Sequence, residues 1–255
     1  MPFAVLTRDP VDAQPYAALL EPLGLEVIAM PVTKPAPAAD PDALTRAVSE
    51  TSYDAILVAS PRAAHELARA VAASLTARTT LPDLPEVWAV GPGTKRALDI
   101  AKLPAKMPAG PRDGVELARA LIASRKIEGK RVLVPRAEEG RMEAMQLLRA
   151  AGAHVVDVVA YRTVAVAADD PGIERGLAIL RAGTAAVTCV FAPSQVTALG
   201  SLLGSLGDLA TRFCAIGETT ALAARSAGAT EVQVASAPTP EGMAEAVRAV
   251  YPDKR

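Results

Sequence analysis

The 255-residue sequence contains few aromatic residues, two cysteines and two histidines, and its net charge is close to zero. Aromatic residues make up 3% of the chain and the formal net charge is −1, so the basic surface and the base-stacking platforms of a nucleic-acid-binding protein are both missing. The two cysteines, Cys189 and Cys214, lie in apolar runs, where we expect them to be buried as small hydrophobic side chains. Two cysteines do not provide a metal site, and they give no sign of an oxidising compartment.

Long apolar runs and familiar catalytic motifs are also missing. No window reaches the roughly 18 apolar residues that a membrane span needs, and the N-terminus has no basic segment followed by an apolar stretch. We therefore expect a soluble, cytoplasmic protein that binds neither membranes nor nucleic acid. The chain has no G-x-G-x-x-G after a strand, no P-loop, no H-E-x-x-H and no G-x-S-x-G. The two histidines, His65 and His154, are expected to be structural.

The strongest positive feature is an internal repeat. Segments of the first half recur in the same order in the second half, displaced by roughly half the chain. Two similar half-proteins, each large enough to bury its own core, predict two domains and a cleft between them, which is the default place for a ligand. The paired segments are Val5–Arg8 with Val132–Arg136, Ile56–Arg62 with Thr188–Ser194, Trp88–Thr94 with Cys214–Thr220, and Asp113–Glu116 with Glu241–Ala244.

Short apolar runs alternate with longer amphipathic stretches along the chain. The runs are rich in Val, Ile and Leu, which is typical of parallel strands covered on both faces. This alternation predicts layered α/β domains with right-handed crossovers. The predicted strands are Phe3–Thr7, Glu26–Met30, Ala55–Ala59, Val87–Val90, Arg131–Val134, His154–Val159, Ala186–Phe191, Arg212–Ile216 and Glu231–Ala235. The predicted helices include Val11–Leu23, Arg62–Ala77, Gly114–Arg125, Gly140–Ala150 and Glu218–Ala227.

A proline-rich linker, Pro31–Pro41, comes after only the first strand–helix–strand unit, and the matching point of the second copy is Ala160–Val164. Two connections at matched positions predict that the chain leaves one domain near residue 34 and returns near residue 164. A single division near residue 128 is the competing hypothesis. The predicted domains are residues 1–34 with 165–255, and residues 35–164, with hinge crossings near 31–37 and 159–168.

Hydroxyl side chains follow several predicted strands, at the points where the next helices begin. Free N–H groups and the positive end of the helix dipole favour an anion there, and ligands bind at this edge of open α/β sheets. The alternative is that each residue only caps its own helix. Because these residues occupy equivalent places in both halves, we expect a shared oxyanion-binding site. They are Ser60, Thr94, Ser194, Thr219 and Thr220.

Arginines stand near the same edges, and one tyrosine lies in the second connection. Arg8 and Arg136 end the paired first strands of the two copies, and Arg62 follows another strand. Arginine matches carboxylate and phosphate geometry with two donors, although each of these residues would also suit a local salt bridge. Tyr161 can donate a proton to a leaving group or pack its ring against the hinge, and the residues alone leave both interpretations open. Other cations near these edges are Lys95, Arg141 and Arg162.

Taken together, these segments resemble the uroporphyrinogen-III synthase family over essentially the whole chain. The resemblance depends on the order, the spacing and the full coverage of the motifs. It implies two similar parallel-sheet, three-layer (flavodoxin-like) α/β domains joined by a two-stranded hinge, with the first strand–helix–strand unit in the discontinuous domain. The segments that carry it are Val5–Arg8, Ala59–Ala63, Val90–Thr94, Val132–Arg136, Arg141–Gly152, Val159–Thr163, Phe191–Ser194, Ala215–Ala221 and Thr239–Val247.

The resemblance implies a cofactor-free, monomeric lyase that acts on hydroxymethylbilane, a polyanionic linear tetrapyrrole. The terminal hydroxyl leaves as water, the last pyrrole ring is inverted through a spiro intermediate, and the macrocycle closes to uroporphyrinogen III. Tyr161 matches the family's tyrosine as proton donor, whereas Ala59 and Ala192 stand where the family more usually has hydroxyl residues. The predicted substrate-binding residues are Arg8, Ser60, Arg62, Thr94, Arg136, Ser194, Thr219 and Thr220.

Two other functions are compatible with a duplicated α/β chain. A two-domain small-molecule binding protein would share the hinge and the cleft but would not need Tyr161. A regulatory or interaction domain would keep the fold without the activity, because fold alone does not determine function. Formation of the type III isomer from hydroxymethylbilane distinguishes the enzyme from both, since the spontaneous product is the type I isomer.

Overall fold

The computed structural model describes residues 1–50, 52–76, 85–111, 113–124 and 126–251. Strands and helices alternate along the chain. The strands are β1 (Phe3–Leu6), β2 (Glu26–Ala29), β3 (Thr33–Pro37), β4 (Ala55–Val58), β5 (Glu86–Ala89), β6 (Ala105–Lys106), β7 (Arg131–Ala137), β8 (His154–Ala165), β9 (Ala185–Val190), β10 (Arg212–Ala215) and β11 (Val232–Val234). The helices are α1 (Pro10–Leu20), α2 (Ala43–Glu50), α3 (Pro61–Thr76), α4 (Gly91–Ile100), α5 (Gly114–Ser124), α6 (Glu143–Ala150), α7 (Pro171–Arg181), α8 (Pro193–Leu203), α9 (Glu218–Ser226) and α10 (Pro240–Val250).

The chain divides into two compact units. The terminal unit comprises Met1–Lys34 and Val164–Arg255, and the central unit comprises Pro35–Thr163. The covalent chain passes from one unit to the other within β3 and again within β8. That each unit is an autonomous folding domain stays a prediction. A first proteolytic cut near residue 128 would contradict it.

The terminal unit is built on a five-stranded sheet in the order β11-β10-β9-β1-β2. All the neighbouring strands in this sheet are parallel. Numbered along the chain within the unit, the order is 2-1-3-4-5, which is the flavodoxin-like arrangement. The strand order reverses between β1 and β9. The loops that follow these two strands therefore form the topological switch point, where such sheets bind ligands.

The central unit contributes to a six-stranded sheet in the order β3-β8-β7-β4-β5-β6. Within it, β4 pairs in parallel with β5 and β7, and β7 pairs in parallel with β8. After the edge strand β3, the strands lie in the order β8-β7-β4-β5-β6. When β7 and β8 are counted as the first two strands and β4, β5 and β6 as the next three, this is again the order 2-1-3-4-5. The switch point of this unit therefore lies between β7 and β4.

Each sheet contains strands from both copies of the internal repeat. The pair β1 and β2 of the first copy occupies the same sheet positions as β7 and β8 of the second, and β4–β6 correspond to β9–β11. Each unit therefore combines the first part of one copy with the second part of the other. The predicted fold class, with two similar parallel α/β sheets of flavodoxin-like order, is confirmed.

Helices cover both faces of each sheet. Because successive strand residues point to opposite sides, neighbouring residues of one strand pack against different helices. In the terminal unit, Val5 packs with α7, α8 and α9, whereas Leu6 packs with α1 and α10. In the central unit, Ile56 packs with α2, α3 and α4, whereas Leu57 packs with α5 and α6. This double coverage explains why the strands appear in the sequence as continuous apolar runs rather than as alternating ones.

The two cysteines lie in the core of the terminal unit, as expected from their apolar surroundings. Cys189 and Cys214 are both free thiols with no exposed surface, and they stand directly opposite each other on β9 and β10. The neighbouring Cys214 side chain and burial raise the pKa of the Cys189 thiol well above its usual value. Cys189 is therefore a neutral, unreactive thiol at physiological pH.

The predicted linker Pro31–Pro41 contains the strand β3 at its centre, where the chain passes from the terminal unit to the central unit. Two of the prolines, Pro35 and Pro37, lie inside this strand. Proline cannot donate a ladder hydrogen bond, but β3 is at the edge of its sheet, where that loss is tolerated. All the predicted strands are present, and the short β6 was missed because two residues carry no periodicity.

Some helix ends also differ from the prediction. α6 begins at Glu143 rather than at Gly140, because Gly140 closes a turn by donating its N–H to the Ala137 carbonyl at 3.0 Å. The predicted ends at Ala77 and Arg125 lie outside the described residues. Among the helices that the structure describes, none is both long enough and apolar enough to cross a membrane.

Candidate functional site

A pocket of about 180 Å³ lies at the switch point of the central unit. The ends of β4 and β7 form its floor, and α5, α6 and the side chain of Tyr161 on β8 form its walls. This is the position that the 2-1-3-4-5 order marks as a ligand site. The lining residues are Leu57, Ala59, Ser60, Asp113, Gly114, Val115, Val134, Pro135, Arg136, Ala137, Gly140, Arg141, Ala144, Met145 and Tyr161.

Two of the predicted site residues meet in this pocket. The Tyr161 phenol oxygen lies 3.2 Å from the Ser60 hydroxyl oxygen, and either group can be the donor. Ser60 Oγ also accepts the backbone N–H of Ala63 at 3.1 Å, in the first turn of α3. At Ser60 the capping alternative is therefore correct, and it coexists with a contact to Tyr161. The pair connects a phenol directly to the positive end of a helix.

Arg136 lines the same pocket, but its guanidinium is largely occupied. Its Nε and Nη2 donate to the two carboxylate oxygens of Asp157 at 2.6 and 3.2 Å. Its Nη1 donates to the carbonyl oxygens of Ala137 and Glu138, both at 2.8 Å. The backbone N–H of Glu138 in turn donates to the Tyr161 carbonyl at 2.8 Å. Arg136 thus fixes the loop after β7 against β8, beside Tyr161.

Two charged residues of the pocket were not in the predicted set. Asp113 caps α5, since its Oδ1 accepts the N–H groups of Val115 and Glu116, each at 2.9 Å. Arg141 is exposed at the pocket and makes no hydrogen bond or ion pair with any residue that the structure describes. The sequence carried a weak signal for both: Asp113 opens a repeated segment, and Arg141 stands near the strand edges.

Two other predicted residues of the central unit do not line this pocket. Arg62 is exposed, and its Nε lies 3.8 Å from a carboxylate oxygen of Glu66, in a local salt bridge of the kind expected as the alternative. Thr94 is 2% exposed in the first turn of α4. No side chain caps this helix, because its N-cap residue is Val90. The N-terminus of α4 therefore keeps N–H groups available for an anion.

The equivalent switch point in the terminal unit is filled by side chains. Arg8 follows β1, and its guanidinium carbon lies 4.6 Å from the centroid of the Phe191 ring and 5.2 Å from that of Tyr16. Arg8 Nη1 also donates to the Tyr16 phenol oxygen at 2.9 Å. The two rings meet edge to face, with centroids 4.8 Å apart. Arg8 is thus held in one orientation by two aromatic neighbours.

A glutamine that sequence reasoning missed connects the strand ends at this second switch point. Gln195 Oε1 accepts the Thr7 hydroxyl at 2.7 Å and the Phe191 backbone N–H at 2.9 Å. The Thr7 hydroxyl oxygen also lies 3.1 Å from the Cys189 carbonyl oxygen. A polar residue inside a helix gives no sequence signal for this role, because the contact spans most of the chain.

The remaining hydroxyl candidates lie at two further helix N-termini of the terminal unit. Ser194 is half-buried at the start of α8. Thr219 and Thr220 lie in the first turn of α9, the former exposed and the latter 4% exposed. The N-cap residues are Ala192 and Gly217, and neither provides a side-chain cap. The capping alternative therefore fails for these helices, whose N-termini keep N–H groups available for an anion.

Comparisons with known proteins agree with this architecture. A family model described as Uroporphyrinogen-III synthase HemD matches residues 14–245. The chloroplastic uroporphyrinogen-III synthase of Oryza sativa subsp. japonica is 26% identical over 257 residues, which covers 96% of this chain and 80% of that protein. Among solved structures, a mutant uroporphyrinogen III synthase of Thermus thermophilus is similar with a TM-score of 0.59, 19% identity and 98% coverage of both chains. Uroporphyrinogen-III synthetase of Helicobacter pylori 26695 is similar with a TM-score of 0.60 and 16% identity, over 98% of this chain and 100% of that chain.

Proposed function

Because the chain belongs to the uroporphyrinogen-III synthase family, we propose that the pocket of the central unit is where it converts hydroxymethylbilane to uroporphyrinogen III. The reaction removes the terminal hydroxyl as water, inverts the last pyrrole ring and closes the macrocycle. The single observation that carries the proposal is the contact of 3.2 Å between the Tyr161 phenol and the Ser60 hydroxyl within this pocket.

Tyr161 is the proton donor in this proposal. The lone pair of the pyrrole nitrogen expels the terminal hydroxyl, the C–O bond breaks, and the phenol proton moves to the departing oxygen to give water. Tyr161 is left as a phenolate. The Ser60 hydroxyl can donate to that phenolate, and Ser60 Oγ itself accepts an N–H at the N-terminus of α3. The hydrogen bond from Ser60 compensates part of the negative charge left on the phenol oxygen.

The size of the pocket supports binding of one ring rather than of the whole tetrapyrrole. Its volume of about 180 Å³ is smaller than the ~300–1,000 Å³ of pockets for drug-sized ligands. Holding the terminal ring in a fixed place favours closure at the inverted position over spontaneous closure. The main contribution of the protein is then positioning of the reacting groups.

Several groups are proposed to bind the acetate and propionate side chains. In the central unit, Arg141 lies at the pocket with no partner among the described residues, and α4 has an uncapped N-terminus. In the terminal unit, Arg8 is oriented by two rings, and α8 and α9 have uncapped N-termini near Ser194, Thr219 and Thr220. Arg136 is assigned a positioning role, because four of its N–H contacts go to the protein.

Incubation with freshly prepared hydroxymethylbilane tests the proposal. The enzyme yields the type III isomer, which chromatography of the oxidised porphyrins separates from type I. A product that is only type I, at the rate seen without protein, would favour the small-molecule binding or regulatory alternatives. The monomeric state and the cytoplasmic location stay predictions, and light scattering during size-exclusion chromatography tests the first of them.

A further inference from the structure

The pocket proposed to receive a polyanionic substrate contains a carboxylate. Asp113 lines it together with Tyr161 and Ser60. One carboxylate oxygen, Oδ1, is held by the N–H groups of Val115 and Glu116, each at 2.9 Å. Asp113 forms no ion pair with any lysine or arginine that the structure describes. Its orientation is therefore fixed, while Oδ2 and the negative charge stay available to a ligand.

Helix capping alone does not require this charge. Serine, threonine and asparagine cap helices about as well as aspartate does. The same chain uses Ser60 Oγ in the first turn of α3 and Thr239 Oγ1 in the first turn of α10. A carboxylate at the pocket repels the acetate and propionate groups of the substrate, whereas a neutral cap would not. The negative charge therefore weakens substrate binding, and a gain in a later step of the reaction must offset this loss.

The reaction supplies a positive charge at this place. When the C–O bond breaks, both bonding electrons leave with the oxygen, which takes the Tyr161 proton and departs as water. The nitrogen lone pair compensates by forming a C=N bond, so the ring becomes a cation that still carries its N–H. The charge balance is one phenolate and one ring cation for each water released. The positive charge is shared by the pyrrole nitrogen and the carbon that has lost the hydroxyl.

We propose that Asp113 is a further catalytic residue, whose free carboxylate oxygen accepts the pyrrole N–H and stabilises the cation that forms as water leaves. This inference rests on the function proposed for the pocket. A buried pyrrole N–H needs an acceptor, and Asp113 supplies one that strengthens as the ring becomes charged. Interactions that are stronger in the transition state than in the ground state are the ones that raise kcat. Substrate also displaces water from the exposed carboxylate, which strengthens the attraction.

The variant Asp113→Asn separates charge from capping. Asparagine keeps an oxygen that accepts the two N–H groups of α5, so the fold and the cap are retained. We expect kcat for type III formation to fall by about tenfold or more, because the cation loses its counter-charge. KM is expected to stay the same or to fall, since repulsion of the substrate carboxylates is removed. This split between kcat and KM would not arise from a merely structural residue.

Two controls make the outcome decisive. Asp170→Asn is the same isosteric change at the N-cap of α7, where Asp170 Oδ1 accepts the Gly172 N–H at 2.9 Å, and it should leave kcat unchanged. If the parent chain forms no type III isomer, the proposed function itself fails. If the parent chain is active and Asp113→Asn matches it in kcat, or if its KM rises while kcat stays, the assignment of Asp113 is overturned.

Discussion

The two switch points of this molecule have the same strand order and opposite contents. In the central unit, Ala59 follows β4, and the space beside it is a pocket of about 180 Å³. In the terminal unit, the repeat places Phe191 at the equivalent position after β9, and its ring packs against Arg8 and Tyr16. One small residue therefore corresponds to an open site, and one large residue corresponds to a filled one.

The arginines that end the first strand of each copy differ in the same way. Arg8 stacks on two rings and, among the residues that the structure describes, donates one hydrogen bond, to the Tyr16 phenol. Arg136 donates hydrogen bonds to Asp157 and to two carbonyl oxygens of the loop that it holds in place. The position and the residue type are the same in both copies, while the neighbouring residues determine how many of the guanidinium N–H groups stay available to a ligand.

Removal of the phenol from the open site should have the largest effect. Tyr161→Phe keeps the ring but leaves no proton for the departing hydroxyl, and Tyr161 has no aromatic counterpart in the first copy, where Pro31–Thr33 stand. We expect kcat for type III formation to fall by about 100-fold or more, as for loss of a general acid. Steady-state kinetics with hydroxymethylbilane measure it.

Tyr53→Phe is the matched control for this variant. It removes a phenol of the same unit that donates to the Ala47 carbonyl at 3.1 Å and does not line the pocket. Its kcat should equal that of the parent chain. Near parental turnover by Tyr161→Phe would remove the proton-donor role and leave Tyr161 as a packing residue.

Filling the open site with the residue of the closed one is the next test. Ala59→Phe places a ring at the mouth of the pocket, as Phe191 does in the terminal unit. We expect kcat/KM to fall by about tenfold to 100-fold, because the terminal pyrrole loses its place. Ala59 is exposed, so the free energy of unfolding should change by less than about 1 kcal/mol.

The opposite substitution serves as its control. Phe191→Ala opens the terminal switch point and should lower stability, because the ring loses its contacts with Tyr16 and Arg8. It should not create a second catalytic site, since that switch point lacks a counterpart of Tyr161. Parental kcat/KM for Ala59→Phe would show that the reacting ring binds elsewhere.

Most of the fold could be predicted because parallel strands covered on both faces produce continuous apolar runs. The β3 strand could not, because Pro35 and Pro37 argue against a strand everywhere except at a sheet edge, and edges are invisible in a single sequence. The start of α6 was misplaced for a similar reason. The turn that ends at Gly140 depends on one backbone hydrogen bond, which leaves no periodic signal.

The site was predictable in position but less so in membership. Ser60 and Tyr161 were chosen because they lie at a strand end and in a matched connection; both line the pocket, and their roles stay predictions. Arg62 and Arg136 were chosen as arginines near strand ends, and this choice does not show that a neighbour such as Glu66 or Asp157 already pairs with the charge. The partners of a charge are long-range contacts, and the sequence pattern near the charge does not record them.

The smallest predicted effect concerns the strand pairs beneath the two switch points. Cys189 and Cys214 face each other on β9 and β10, where the central unit has Leu57 opposite Trp88. The pKa of Cys189 is raised in the folded protein by its neighbour and by burial. Above the ordinary thiol pKa of about 8.5, the unfolded chain therefore loses a proton that the native state keeps. The contribution of Cys189 to the free energy of unfolding is fully present below that pH and must decline as the pH rises further.

Urea unfolding between pH 7 and about 10 tests this. The free energy of unfolding should decline less steeply for Cys189→Ala than for the parent chain, by up to about 1.4 kcal/mol per pH unit. The control variant is Leu57→Val, at the equivalent place in the central unit, which should lower the free energy of unfolding equally at every pH. If the free energy of unfolding changes with pH by the same slope in the parent chain and in Cys189→Ala, the thiol ionises as readily in the core as in water.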